Sequence, residues 1–403
     1  MPMQQRPTRH LNVSAGAIEL SEAATRQRFL IISNGHGEDA IAAQVISRFP
    51  ASIEADAYPV IGSGKAYDGI CRVVGPRASL ASEGWRNVKG SLRRDIVNGG
   101  LLTVPPALKF LRKMRGKYDR VIVVGDMVGV LACLVTGYRD LVYIDVYKTG
   151  AARLYSSLER WAIAKACSLV FCRAENLATM LREDGVNASA PGNLMMDTIP
   201  HGQYDAASRR RNALAVTLLP GSRALTAESF ALQINGLRQV APENMPDIFL
   251  AVAGSVKIED LAKAAGLRRS HHLSSEPDDL GQLTDGEITV HMARGRAMGN
   301  LLDTSDFVLS QAGTATIQSL GLGKPAITFI NQRDRRSRFE DEQQLFGDAR
   351  IVVDAEIDQL GSAIIRLINN PDLRMRLGAI GQNNIGGQGA LTAIMNSLGI
   401  TKA

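Results

Sequence analysis

Two short stretches of this chain place small residues and a cation where a phosphate would bind. Residues 310–328, SQAGTATIQSLGLGKPAIT, read as a turn, a helix and a strand that follow a short apolar strand, SDFVLS. Gln311 precedes the turn, and Gly313, Thr314, Ala315 and Thr316 open the helix. The free N–H groups of a first helical turn and the positive end of the dipole attract phosphate, and only small side chains let a diphosphate reach the backbone. Gly323-Lys324-Pro325 ends this helix before the next strand. Any parallel α/β protein carries such turns, and this one is neither a Walker loop nor a full GxGxxG. Upstream, residues 214–219 read as a strand running into Pro220-Gly221-Ser222-Arg223. The planar fork of Arg223 suits phosphate oxygens, where a purely structural turn more often carries Asp or Asn.

Proton-handling groups cluster in the first half. Asp126 follows the strand VIVVG, and an acid at the carboxyl end of a strand in a doubly wound sheet faces the ligand crevice. The same position equally suits a helix N-cap. His36 lies in Asn34-Gly35-His36-Gly37, a strand-to-helix turn, and imidazole titrates in the useful range. Glu38 and Asp39 read as caps of the following helix that contact ligand hydroxyls at most. The sequence has no Asp-x-Asp triplet, and its histidines show no HxH or HxxxH spacing, so no metal is expected. Glu340-Asp341-Glu342 reads as a charged helix start.

The elements that must position these groups alternate strand and helix in two sets. Strands are expected near residues 29–33, 53–57, 120–125, 141–145 and 169–172, then near 214–219, 248–253, 287–290, 307–310, 326–329 and 351–353. Such alternation builds parallel, doubly wound sheets, here two Rossmann-like domains facing a cleft. A length of 403 residues also suits two domains. The polar stretch 198–211, with three consecutive arginines, is the candidate linker, and the polar residues 1–27 are expected to form a disordered leader. Residues 121–137 are apolar but interrupted by Asp126 and three glycines, so strand, turn and helix is expected over a membrane span.

Forty-six Lys and Arg against 40 Asp and Glu favour an anionic partner. Aromatic residues make up only 5% and do not interleave with cations, which disfavours nucleic acid. Four scattered cysteines without a CxxC pair argue against zinc and disulfides and for a reducing cytosol. Residues 86–120 hold ten Lys or Arg and two acids among apolar residues including Val104, Phe110 and Leu111, a mixture suited to an anionic membrane surface.

Taken together, NGHGED at 34–39, APGNLMMD at 190–197, LLPGSR at 218–223 and the AGTAT turn resemble the lipid-A-disaccharide synthase family, specifically its lipid-A-disaccharide synthase-related branch. The resemblance implies a GT-B fold with an acceptor domain at 28–197, a nucleotide-sugar domain at 212–372 and a C-terminal helix, within about 373–403, that crosses back. It implies a metal-independent, inverting glycosyltransferase that needs no cofactor and moves a sugar from a UDP-sugar to a lipid acceptor, as a peripheral protein on the cytoplasmic membrane face. Asp126 matches an essential aspartate of that family. Gln318 stands where the family usually carries a glutamate resembling a ribose-binding acid. Asn193 falls in the APGNLMMD motif, and Lys148 in DVYKTG, which replaces the family's SPSVWAW stretch on the acceptor side. A UDP-sugar 2-epimerase of the same fold and a non-catalytic nucleotide-sugar-binding protein are the alternatives.

Overall fold

The computed structural model describes residues 26–77, 104–221, 225–270, 275–331 and 336–400. Strands β1 (Gln27–Ser33), β2 (Ile53–Pro59), β3 (Arg72–Val73), β4 (Arg120–Gly125), β5 (Leu141–Asp145), β6 (Cys167–Phe171) and β7 (Ala188–Ser189) form one sheet in the order β3-β2-β1-β4-β5-β6-β7. Every pairing in it is parallel. Helices cover both faces, so the central strands β4 and β5 and most of β1 are near-continuous apolar runs and not merely alternating. On β1, Phe29 and Ile31 enter one core while Leu30 and Ile32 enter another on the opposite face.

The second sheet contains β8 (Ala215–Leu219), β9 (Asp247–Val252), β10 (Arg268–Ser270), β11 (Asp279–Thr284), β12 (Thr289–Arg294), β13 (Phe307–Ser310), β14 (Ala326–Ile330) and β15 (Arg350–Asp354). Its order is β10-β11-β12-β9-β8-β13-β14-β15. The fold is thus two α/β units with mainly parallel sheets. The strand expected near 287–290 is β12; beyond the expected strands, β11 pairs with it in an antiparallel hairpin, with β10 antiparallel at its edge. The hairpin turns at Asp285-Gly286, where Asp285 accepts from the backbone N–H groups of Glu287 and Ile288 and Gly286 has φ of +102°.

The stretch 198–211, expected as a linker, packs on the second unit. Tyr204 is buried there beneath the Arg209 guanidinium, 4.2 Å from its ring centroid. Arg209 pairs with Glu276 and Asp279 at 3.0 and 2.7 Å, and Arg210 with Asp306 at 2.8 Å. The arginines are structural fasteners of this stretch. The leader through residue 25 lies outside the described residues.

The last two helices divide between the units. The Pro371–Ile385 helix packs on the second, and the Ala390–Ser397 helix puts Leu391, Ile394 and Met395 into the core around Phe29 and Ile31 of the first. The crossing back therefore lies between them, at residues 386–389. Close backbone contact fixes the first of the pair: a Cβ on Gly378 would lie 2.3 Å from the Gly323 carbonyl oxygen, and one on Gly381 2.6 Å from that of Leu320. Among the described residues no helix is long and apolar enough to cross a membrane. Residues 121–137 instead form β4, a turn and the Met127–Val135 helix.

We expect Gly378→Ala and Gly381→Ala each to destabilise the protein by about 1–3 kcal/mol in urea unfolding. Gly387→Ala, with open space around its Cβ, should change little; equal effects at all three sites would refute the close packing.

Candidate functional site

Strand order reverses once in each sheet, and open α/β sheets bind ligands outside the carboxyl ends of the strands at that point. In the first sheet the reversal lies between β1 and β4, which leave toward residues 34–37 and Asp126. In the second it lies between β8 and β13, which leave toward Pro220-Gly221 and Gln311-Gly313. All four sequence motifs singled out by chemistry or spacing at strand ends therefore fall at reversal points.

In the first unit, Asn34 Nδ2 donates to Asp126 Oδ1 at 3.1 Å, joining the two turns. Asp126 also accepts from the Val128 N–H at 2.9 Å as N-cap of the Met127–Val135 helix. Asp126 is thus the helix N-cap, and it stays partly exposed at the carboxyl end of β4. The Asn34 Oδ1 atom is buried and meets no protein donor. Glu38 folds between Gly35 and Gly125, whose missing side chains make its room: a Cβ on either would lie 2.4 and 2.9 Å from Glu38 atoms. Gly37 is exposed with open space about it. His36 begins the His36–Ile46 helix, and its side chain lies outside the described residues. Asp39 departs from expectation. It is 1% exposed and accepts from Ser33 Oγ at 2.6 Å, which also bonds Tyr67 Oη, so it braces the interior and does not face an acceptor.

In the second unit the Gln311 N–H donates to the Leu219 carbonyl at 2.8 Å, and a Cβ on Gly221 would lie 3.7 Å from the Gln311 carbonyl oxygen. The two turns are therefore neighbours. Ser222 and Arg223 lie outside the described residues. The Thr314–Gly321 helix begins at Gly313 without a side-chain cap; Thr314 is exposed, and Gly313 and Ala315 are half-buried. Its first amides are thus available to an anion. Three side chains assigned to donor binding do other work. Gln311 Nε2 donates to the Phe329 carbonyl at 2.7 Å, and the buried Thr316 hydroxyl bonds the Ala312 carbonyl and Ser310. Gln318, 2% exposed, donates to the Met195 carbonyl at 2.9 Å, so its amide ties the units together at the place where a ribose contact was expected.

The joint itself is residues 193–197. Asn193 Oδ1 caps the Leu194–Asp197 helix by accepting from the Met195 N–H at 3.1 Å, and its Nδ2 donates to the Ile385 carbonyl at 3.2 Å. Asn193 is 2% exposed and so is a joint residue, not an acceptor ligand. Lys148 is likewise occupied, with Nζ 2.9 Å from Glu159 and 2.9 Å from the Leu154 carbonyl.

The structure adds two residues that the sequence reading passed over. Asp145 ends β5 and is 3% exposed. It accepts from the Tyr147 and Lys148 N–H groups at 2.8 and 3.0 Å and from Tyr155 Oη. Burial outweighs these bonds and the Lys148 charge, raising the carboxyl to about 6. Arg173 follows β6, and burial lowers its guanidinium to about 10. The one signal available was a charged residue at the end of an apolar run, in LVYID and SLVFCR.

No protein-family model and no curated protein matches the sequence. Solved structures do match. MurG of Acinetobacter baumannii superposes with a TM-score of 0.57 at 14% identity, over 93% of this chain and 100% of that one. The fold is GT-B. Glycosyltransferase SnogD of Streptomyces nogalater gives 0.55 at 17% identity, over 93% and 99%. UDP-GlcNAc 2-epimerase of Neisseria meningitidis, bound to UDP-GlcNAc, gives 0.54 at 13% identity, over 92% and 99%. At these identities the likeness concerns the fold, and chemistry must come from the site.

The raised Asp145 carboxyl has a signed consequence. Between about pH 4 and 6 the folded chain holds a proton that the unfolded chain releases, so this group's contribution to stability falls as pH rises through that window. Relative to Asp145→Asn, the wild type should lose on the order of 2 kcal/mol between pH 4.5 and 7.5 in urea unfolding. A pH-independent difference between the two proteins would contradict the assignment.

Proposed function

We propose that the protein transfers a sugar from a nucleoside diphosphate donor, with UDP as the nucleotide, to a hydroxyl of a lipid acceptor at the cytoplasmic face of a membrane. The observation that carries this reading is the coincidence of the glycine turns with the strand-order reversals of both sheets. The amides at Gly313 to Thr316 and the turn at Gly221, with Ser222 and Arg223 beyond it, hold the diphosphate and stabilise its charge as the anomeric C–O bond breaks. Asp126 takes the proton of the attacking hydroxyl, with His36 as the competing base. Asn34 fixes Asp126 and offers its unpaired Oδ1 to a substrate hydroxyl or amide. No step needs a metal. Likeness to lipid-A-disaccharide synthase rests on the sequence motifs.

The membrane reading gains a surface, though not the expected one. Within 86–120, residues 86–103 lie outside the described residues. In the Val104–Met114 helix, Leu111 is buried and Phe110 packs on Tyr58 at 4.8 Å between centroids, so these face the core and not lipid. Lys109, Arg112 and Lys113 are exposed. The helix beside it, Met127–Val135, exposes Val128, Leu131 and Val135, and the next, Ser157–Ala166, exposes Leu158 and Trp161. An apolar face flanked by cations suits an anionic bilayer.

A second reading, a UDP-sugar 2-epimerase, is favoured by one observation besides the structural neighbours: Asp126 and Asp145 stand at the ends of adjacent strands, with Gly125 and Asp145 paired in register. Incubation with UDP-GlcNAc alone separates the two, since an epimerase releases the epimer without any lipid.

Thr314→Asp, placing a negative charge at the exposed helix start, should weaken UDP binding at least tenfold, roughly 1.4 kcal/mol or more, in calorimetry. Asp126→Asn should lower turnover by roughly two to four orders of magnitude with UDP affinity intact; if only His36→Ala does so, the base is His36. Wild-type protein should sediment with phosphatidylglycerol vesicles at low salt and be released at high salt, whereas Leu158→Glu/Trp161→Glu should remain in the supernatant throughout.

A further inference from the structure

We propose that Arg173 forms the floor of an oxyanion subsite at the carboxyl edge of the first sheet, built to take one oxygen of a carboxylate or phosphate carried by the acceptor. The structure engages this guanidinium in no hydrogen bond or ion pair, whereas Arg209 and Arg210 each hold a carboxylate. The residue keeps some exposed surface, but Nη2 has none and meets no protein acceptor. An unpaired buried cation is costly, and a chain that needed only volume at this position would place Leu or Met there.

What surrounds the group favours an anion. Arg173 lines a cavity of about 10 Å³ with Asp145, Cys172, Gly192 and Asn193. That volume admits a single oxygen-sized group. The cavity lies beyond the ends of β5, β6 and β7, on the same edge as Asn34 and Asp126, because every strand of this sheet is parallel. Asp145 is no counter-ion by contact: its oxygens are taken up by Tyr155 and two backbone N–H groups. Arg153, stacked 4.7 Å over Tyr147, lies close enough to repel Arg173 and adds a second positive charge to the locality. Lys148, the third cation, is neutralised by Glu159. Asp145 attracts Arg173 through space without bonding it, so the guanidinium is held by no contacting acid. A guanidinium with a buried, unpartnered N–H group at the edge of such a cavity is suited to the fork geometry of carboxylate and phosphate.

The anion subsite stands on this geometry alone; its assignment to the acceptor rests on the transferase reading. Thermal unfolding of the full chain tests the two separately. With UDP at saturation to occupy the donor turn, sodium phosphate or sodium acetate at about 50 mM should raise Tm by about 2–4 °C over chloride of equal ionic strength. A response to one salt and not the other identifies which oxyanion the subsite takes. Arg173→Met should lose the anion-specific rise while unfolding at the same or a higher Tm without ligand, and Arg173→Lys should keep a reduced rise. The proposal is overturned if neither anion raises the wild-type Tm, if Arg173→Met keeps the rise, or if Arg173→Met lowers the ligand-free Tm or fails to fold, which would make Arg173 a structural residue. Failure of UDP itself to shift Tm, with the anion response intact, would count against the nucleotide reading and leave the subsite standing.

Discussion

Asp197 is the anchor on which the arrangement of the two units depends. Its carboxylate accepts from the Gly389 N–H at 2.7 Å and the Leu391 N–H at 2.9 Å, capping from 190 residues away a helix that has no cap of its own. An anion at a helix N-terminus satisfies orphan amides and opposes the dipole. Beside it Asn193 holds the Ile385 carbonyl, and Met196 is buried in the core of the second unit. A Cβ on Gly321 would lie 2.3 Å from the Met196 sulfur, so a glycine there is what admits this plug. The chain thus passes between units at two adjacent places, 193–197 and 386–389, and polar contacts lock each crossing to the other. Separating them would strip the last helix from the first unit's core and leave its amides unpaired.

The Gly313 turn inherits its position from this joint. The helix that starts at the Gly313 turn carries Gln318 one turn on, and Gln318 donates to Met195. An anion drawn to the first amides of that helix therefore sits on an element braced against both units. The same reasoning explains why Gln serves at position 318. Its Oε1 is buried without a partner, and a carboxylate held there would have no cation to neutralise it.

Much of this was legible before any coordinates. Apolar runs such as VIVVG and LVYID identified the parallel strands because a strand covered on both faces has no polar residues to break the pattern. Glycine turns at strand ends were legible too, and the strand order places them at the reversal points. Roles of individual side chains were less legible. Thr316, Gln318, Asn193 and Lys148 are polar residues near the motifs, and only coordinates show that each is spent on a carbonyl, an N–H group or an ion pair. The reverse error hid Arg173 and Asp145, since a charged residue after an apolar strand resembles any loop start until its lack of a partner, or its burial, is known. The first strand of the hairpin, β11, was missed because Gly281 interrupts its alternation, although its Asp-Gly turn was present in the sequence.

A GT-B framework at 11–17% identity is compatible with sugar transfer and with epimerisation, so the decision falls to two carboxylates and their surroundings. Asp126 is partly exposed and accepts two hydrogen bonds, from the Val128 N–H and from Asn34. Asp145 is buried, and its carboxyl is held near 6. Transfer to a hydroxyl requires only the base. Epimerisation requires proton removal and return at a carbon, which would employ both. Asp145 already accepts from Tyr155 and two backbone N–H groups, and protonation would turn one accepting oxygen into a donor and break part of that set. The geometry therefore gives Asp145 a holding role, orienting the Tyr147–Lys148 turn.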